Sequence, residues 1–114
     1  MSQRLYEAMF LLDSKKGGEE LPSLIQHISN LLQRNDAEIE RIEQWDERKL
    51  AYRIQGADRG IYILVYFRVE PDNVQEIRNT INLSEDILRV LILTAEEIPP
   101  AVGPLYNTEG EEVG

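Results

Sequence analysis

Apolar residues alternate most regularly between Gly60 and Val69. Ile61, Ile63, Val65, Phe67 and Val69 fall on one side of an extended chain, and Tyr62, Leu64, Tyr66 and Arg68 on the other. A strand apolar on both faces belongs in the middle of a sheet. Just upstream, Leu50, Tyr52 and Ile54 alternate with Ala51 and Arg53, and residues 55–59 read as a Gly-bounded loop joining the two strands into a hairpin. Near the start, Leu5 to Leu12 predicts a buried strand closed by Asp13-Ser14, and residues 15–18 predict a loop. Leu21, Leu24, Ile25, Ile28, Leu31 and Leu32 then recur at helical spacing, which predicts a helix over 19–35 with Pro22 in its first turn and Glu19 and Glu20 at the positive end of its dipole. Ile39, Ile42 and Trp45 are spaced by three, a pattern that a bulged strand running from 37 to 54 explains. Glu70-Pro71-Asp72-Asn73 opens a second helix with Val74, Ile77 and Ile81 on its inner face, residues 82–86 connect, and Ile87 to Thr94 is a last apolar strand interrupted by Arg89.

The order strand, helix, strand, strand, helix, strand predicts an α+β fold of the ferredoxin-like βαββαβ type, a four-stranded antiparallel sheet with two helices on one face. The other face is left open, and it carries Tyr62, Leu64, Tyr66 and Arg68. Residues 1–95 form this domain. From Ala95 on the composition changes to three prolines, three glycines and five glutamates with no basic residue, so residues 96–114 are expected to be an acidic, extended and largely disordered tail.

Charge changes the picture more than composition does. The chain carries 12 Lys and Arg against 21 Asp and Glu, a net charge of −9. Between Arg48 and Arg68 stand Arg48, Lys49, Arg53, Arg59 and Arg68 against the single acid Asp58, a local +4 that leaves −13 for the remainder. A sequence pI near 4.6 argues against nucleic-acid binding by the whole surface, and leaves room for one basic edge. At 114 residues the chain makes one domain. It has no apolar run of about 18 residues or more to span a bilayer. It has no cysteine, and its first residues lack the pattern of a signal peptide, so a cytosolic address is expected.

Candidate catalytic chemistry is sparse. His27 is the only histidine and lies beside the apolar stripe of its helix without a second ligand or nucleophile at a recognisable spacing. Glu38, Glu40, Glu43, Asp46 and Glu47 read as a solvated run rather than an acid–base pair. No catalytic residue, metal, cofactor, membrane contact or small-molecule substrate is expected. Arg59 to Tyr66 falls where an RNA-recognition motif keeps its main signature, but Ile61 and Ile63 stand where stacking rings belong. A free-standing module for single-stranded RNA is therefore the alternative function. Trp45 reads as a residue at the sheet margin.

Tyr6-Glu7 in the first strand, Arg48-Lys49-Leu50-Ala51-Tyr52 followed by Ile54, Gly60 with Tyr62, and Leu88-Arg89 before the last apolar run together resemble the family of the sixth protein of the bacterial small ribosomal subunit. Asp46 and Arg53 depart from the family pattern, which usually has Gly and commonly Pro there. The resemblance implies a non-enzymatic ribosomal protein that binds small-subunit ribosomal RNA as a heterodimer with the basic eighteenth small-subunit protein. On this basis Arg4, Arg48, Lys49, Arg53, Arg59 and Arg89 are expected to include the phosphate-contacting residues, and Tyr62, Leu64, Tyr66 and Arg68 to face the protein partner.

Overall fold

The strand with two apolar faces, β3 (Ala57–Val69), lies inside the sheet, with β1 (Arg4–Asp13) antiparallel on one side and β2 (Glu38–Ile54) antiparallel on the other. A computed structural model describes residues 2–113 of the chain. The fourth strand, β4 (Ile87–Thr94), pairs with the free side of β1, and the expected four-stranded antiparallel sheet is complete. Two helices, α1 (Ser14–Arg34) and α2 (Val74–Asn82), the second entered through a single 3-10 turn at Pro71–Asn73, cover one face. There Leu24, Ile25, Ile28, Leu31, Leu32, Ile77 and Ile81 bury against Phe10, Leu12, Ile63, Val65 and Phe67. At about 25 cal/mol per Å² of apolar area removed from water, this layer is the main source of stability.

The bulges expected in β2 are present as register shifts between Ile39 and Arg41 and again between Gln44 and Asp46. The first brings Ile39 and Ile42 to the same core. The hairpin loop is shorter than expected. Gln55 and Gly56 both have positive φ (48° and 85°), the backbone of a two-residue turn matched to strand twist, so β3 begins at Ala57.

Helix α1 begins earlier than its apolar stripe. Asp13 caps it by accepting a hydrogen bond from the Lys15 N–H at 3.0 Å, so the expected loop at 15–18 is helical and Pro22 lies well inside the helix. An Asp cap contributes about 1 kcal/mol, enough to offset one Gly in a helix.

The chain beyond β4 also departs from expectation. Rather than running free, it crosses the uncovered face of the sheet and adds β5 (Leu105–Tyr106) to the outer edge of β2 and β6 (Glu112–Val113) to β5. Glycine, proline and glutamate deny this segment a helix or a core of its own. They do not prevent it from packing on a surface already built.

Candidate nucleic-acid and partner interface

Strand pairing sets three rows of side chains across the open face. Leu93, Glu7, Tyr66 and Arg41 form one; Leu91, Met9, Leu64 and Glu43 the next; Arg89, Leu11, Tyr62 and Asp46 the third. The tail lies over the first two. Ala95 and Ile98 pack on Leu5, Leu64 and Tyr66, while Pro99, Pro100 and Val102 border Glu7, Met9, Glu43 and Trp45. Leu64 and Tyr66 are consequently buried, and the expectation of an open face holds only for the third row and the β4 margin. There Tyr62 is half-buried and Leu91 and Leu93 remain exposed. Arg68 is at the far end of the sheet, paired with Glu40 at 2.9 Å. Of the four residues expected to face a partner, only Tyr62 and Arg68 reach the surface in this conformation.

Beneath the tail lies a buried polar cluster. The Glu43 carboxylate, 1% exposed, accepts from Arg41 Nη2 at 2.7 Å and from the Val102 N–H at 2.9 Å. Arg41 lies over the Tyr66 ring, 5.1 Å from its centre, and the Tyr66 hydroxyl donates to Glu7 at 3.1 Å. The first β2 bulge sets Glu43 on the open face opposite Leu64, and there the tail covers it, unlike the acids that surround it in sequence.

The basic residues are gathered unevenly. Arg48, Lys49 and Arg89 line one shallow groove with Tyr52, Ile54 and Tyr62 at the hairpin end of the sheet. Arg89 lies over the Tyr52 ring at 5.7 Å and donates to its hydroxyl at 3.3 Å. Arg48 lies over Trp45 at 4.9 Å and is held by Asp46, the family departure, through Nε at 2.9 Å. Lys49 and Arg59 are cross-strand neighbours, both exposed, and neither has an anionic partner among the described residues. Arg53 pairs with Asp58 at 2.7 Å in full view of solvent. Arg4 stands apart, at the opposite end of β1, roughly 30 Å from Asp13 at the usual rise per strand residue.

Periodicity did not single out Tyr52. It is 62% exposed, where an aromatic ring flanked by cations can stack on a base or a ribose. Its position beside the basic run was the available signal. His27 donates to or accepts from Ser84 at 2.9 Å on the helical side, away from these groups.

Protonation follows the same geometry. The hydrogen bond from Arg48, then that from the Glu47 N–H, holds the Asp46 carboxyl below its ordinary value. Burial, then the Glu7 hydrogen bond, raises the Tyr66 phenol; burial, then the charge of Glu112, raises that of Tyr106. A phenol raised by folding contributes stability that is complete below its ordinary value near 10 and is lost as pH rises through the raised value. An absorbance titration of the phenolates is therefore expected to show a late-ionising class among the five tyrosines. Tyr66→Phe should shrink that class and blunt the alkaline loss of stability.

Residues 5–94 match the family model for ribosomal protein S6. A small ribosomal subunit protein bS6 from Caldanaerobacter subterraneus is 34% identical over 94 residues, covering 82% of this chain and 99% of that protein. One from Gluconacetobacter diazotrophicus is 31% identical over 108 residues, covering 95% of this chain and 67% of that protein. Among solved structures, 30S ribosomal protein S6 from Thermotoga maritima superposes with a TM-score of 0.72 at 27% identity, covering 82% of this chain and 89% of the other. The matched segment ends where β4 ends, before the tail.

Proposed function

Because the chain belongs to the ribosomal protein S6 family, we propose that it is a non-enzymatic constituent of the small ribosomal subunit. In this role it binds small-subunit ribosomal RNA through its hairpin end, together with the basic eighteenth small-subunit protein. The observation that carries the RNA surface is the convergence of Arg48, Lys49 and Arg89 on Tyr52 and Tyr62 in a chain of net charge −9. Cations beside an exposed ring such as Tyr52 suit a phosphate backbone with an unstacked base or ribose next to it. Arg53 and Arg59 extend this footprint along the hairpin, and Arg4 would meet a separate phosphate. Such contacts set position rather than read sequence.

An acidic body repels RNA at long range, which favours delivery with a partner that supplies positive charge. Tyr62 and Arg68 are available to that partner at once, whereas Leu64 and Tyr66 require the tail to leave.

The test is a titration of the purified chain against the central-domain fragment of small-subunit RNA, with and without the eighteenth protein, over a salt series. Binding is expected only with the partner present, with log affinity falling linearly against log salt. Tight binding of the lone chain to unstructured single-stranded RNA would replace this function with that of a free recognition module.

A further inference from the structure

The tail is attached to the face it covers in a particular way. The Ala95 N–H donates to the Leu5 carbonyl at 2.9 Å, and the Gln44 N–H donates to the Pro104 carbonyl at 2.9 Å. The Val102 N–H meets Glu43, and the Tyr106 hydroxyl donates to Gln44 at 3.2 Å. Every polar contact from 95 to 106 named here uses main chain or a neutral hydroxyl on the tail side. Its charged residues do the reverse of helping. Within 95–106 the tail carries Glu96 and Glu97 and no cation, and the crevice beneath it is bordered by Glu7 and Glu43 with no Lys or Arg among the described residues that line it. Packing is incomplete as well: a crevice of about 330 Å³ remains where Pro99, Pro100 and Val102 meet Trp45, Leu64 and Tyr66.

A groove with an aromatic and aliphatic floor, a buried carboxylate that accepts a main-chain N–H, and a strand edge held by only a two-residue strand together accept an extended peptide. Its acidic rim prefers a basic one.

We propose that residues 95–106 are a displaceable strap that occupies, within the same chain, the groove and β2 edge that an extended segment of the basic protein partner takes on assembly. This rests on the partner reading above. The strap satisfies the β2 edge and hides Leu64 and Tyr66 in the free protein, limiting edge-to-edge association. The partner's positive charge then replaces a mismatched occupant with a complementary one. Partner affinity is lowered by the fraction of molecules in which the strap is closed.

Gly103 provides the handle. A Cβ there would lie 2.0 Å from the Gln44 carbonyl oxygen, so Gly103→Val in the full chain pushes the strap off β2 and leaves the four strands β4, β1, β3 and β2 in place. Val102→Pro, a second variant, removes the N–H that Glu43 accepts. Trp45, the sole tryptophan and a wall of the crevice, is 39% exposed with the strap in place, and the rise in its quenching by acrylamide above that level reports opening. Both variants are expected to increase the quenching of Trp45 and to bind the eighteenth protein more tightly, by about tenfold if the strap is closed nine-tenths of the time. Exposure of Trp45 with unchanged or weaker partner binding overturns the strap and leaves the partner reading standing. Unchanged quenching in both variants, or a strap-exchanged dimer on sedimentation, also overturns it. Loss of partner binding by wild type and variants alike removes both readings together.

Discussion

Glu43→Ala is expected to destabilise the protein by about 3 kcal/mol, the scale on which removing one member of a buried ion pair acts. Glu43 is 1% exposed and its partner Arg41 18%, so solvent offers the stranded guanidinium little relief. Arg41 Nε already has no hydrogen-bond partner, and the pairing with Glu43 through Nη2 is its one ion pair among the described residues. The same substitution strands the Val102 N–H, so loss of stability and a further rise in Trp45 quenching should appear together. For a domain of this size the shift in Tm is about 10 °C or more. Glu43→Gln keeps an acceptor for Val102 and should cost less. Urea unfolding followed at Trp45 measures both variants, and a loss below about 1 kcal/mol for the alanine variant would show that the cluster is solvated rather than buried.

Lys49→Ala combined with Arg59→Ala is expected to reduce RNA affinity roughly 30- to 100-fold in the presence of the partner protein, and to lessen the salt slope by about 1.4 to 1.8. The choice of pair separates function from stability. The two cations face each other across β2 and β3 without an intervening anion, an arrangement that opposes folding slightly, so their removal should leave Tm unchanged or higher. A residue retained at a cost to the fold and lost at a cost to binding is a functional one. Arg53→Ala, which removes a cation already paired with Asp58, should weaken binding less. Equal affinities for wild type and the double variant at every salt concentration would move the RNA surface away from the hairpin.

Most of the architecture was legible in the periodicity of the chain. The alternation from Ile61 to Val69 identified the central strand and its core face, and the stripe from Leu21 to Leu32 identified a helix. The spacing of Ile39 and Ile42 marked a bulge. These are local properties, written into a few consecutive residues, because burial selects apolar side chains at the repeat of the element that carries them. The start of α1 was less legible. A single capping carboxylate at Asp13 decides it, and a Gly-Gly pair in the next turn points the other way.

The candidate site divided along the same line. Concentration of Arg48, Lys49, Arg53 and Arg59 in a hairpin was visible as charge, since residues adjacent in sequence remain adjacent in a hairpin. The arrival of Arg89 from the far edge strand, its contact with Tyr52, and the distance of Arg4 from the rest depend on strand order. Glu43 resembled its acidic neighbours until a register shift set it opposite Leu64, where the tail buries it.

By itself, then, the sequence determined the order of elements, the residues of the core and the presence of one basic edge on an acidic body. Only the tertiary structure decided which part of the open face is free. A segment without periodicity has no preference of its own, and residues 95–113 take their path from a sheet assembled elsewhere in the chain. The groove over Leu64 and Tyr66, the β2 edge and the Glu43 carboxylate exist only once β1, β2 and β3 have paired.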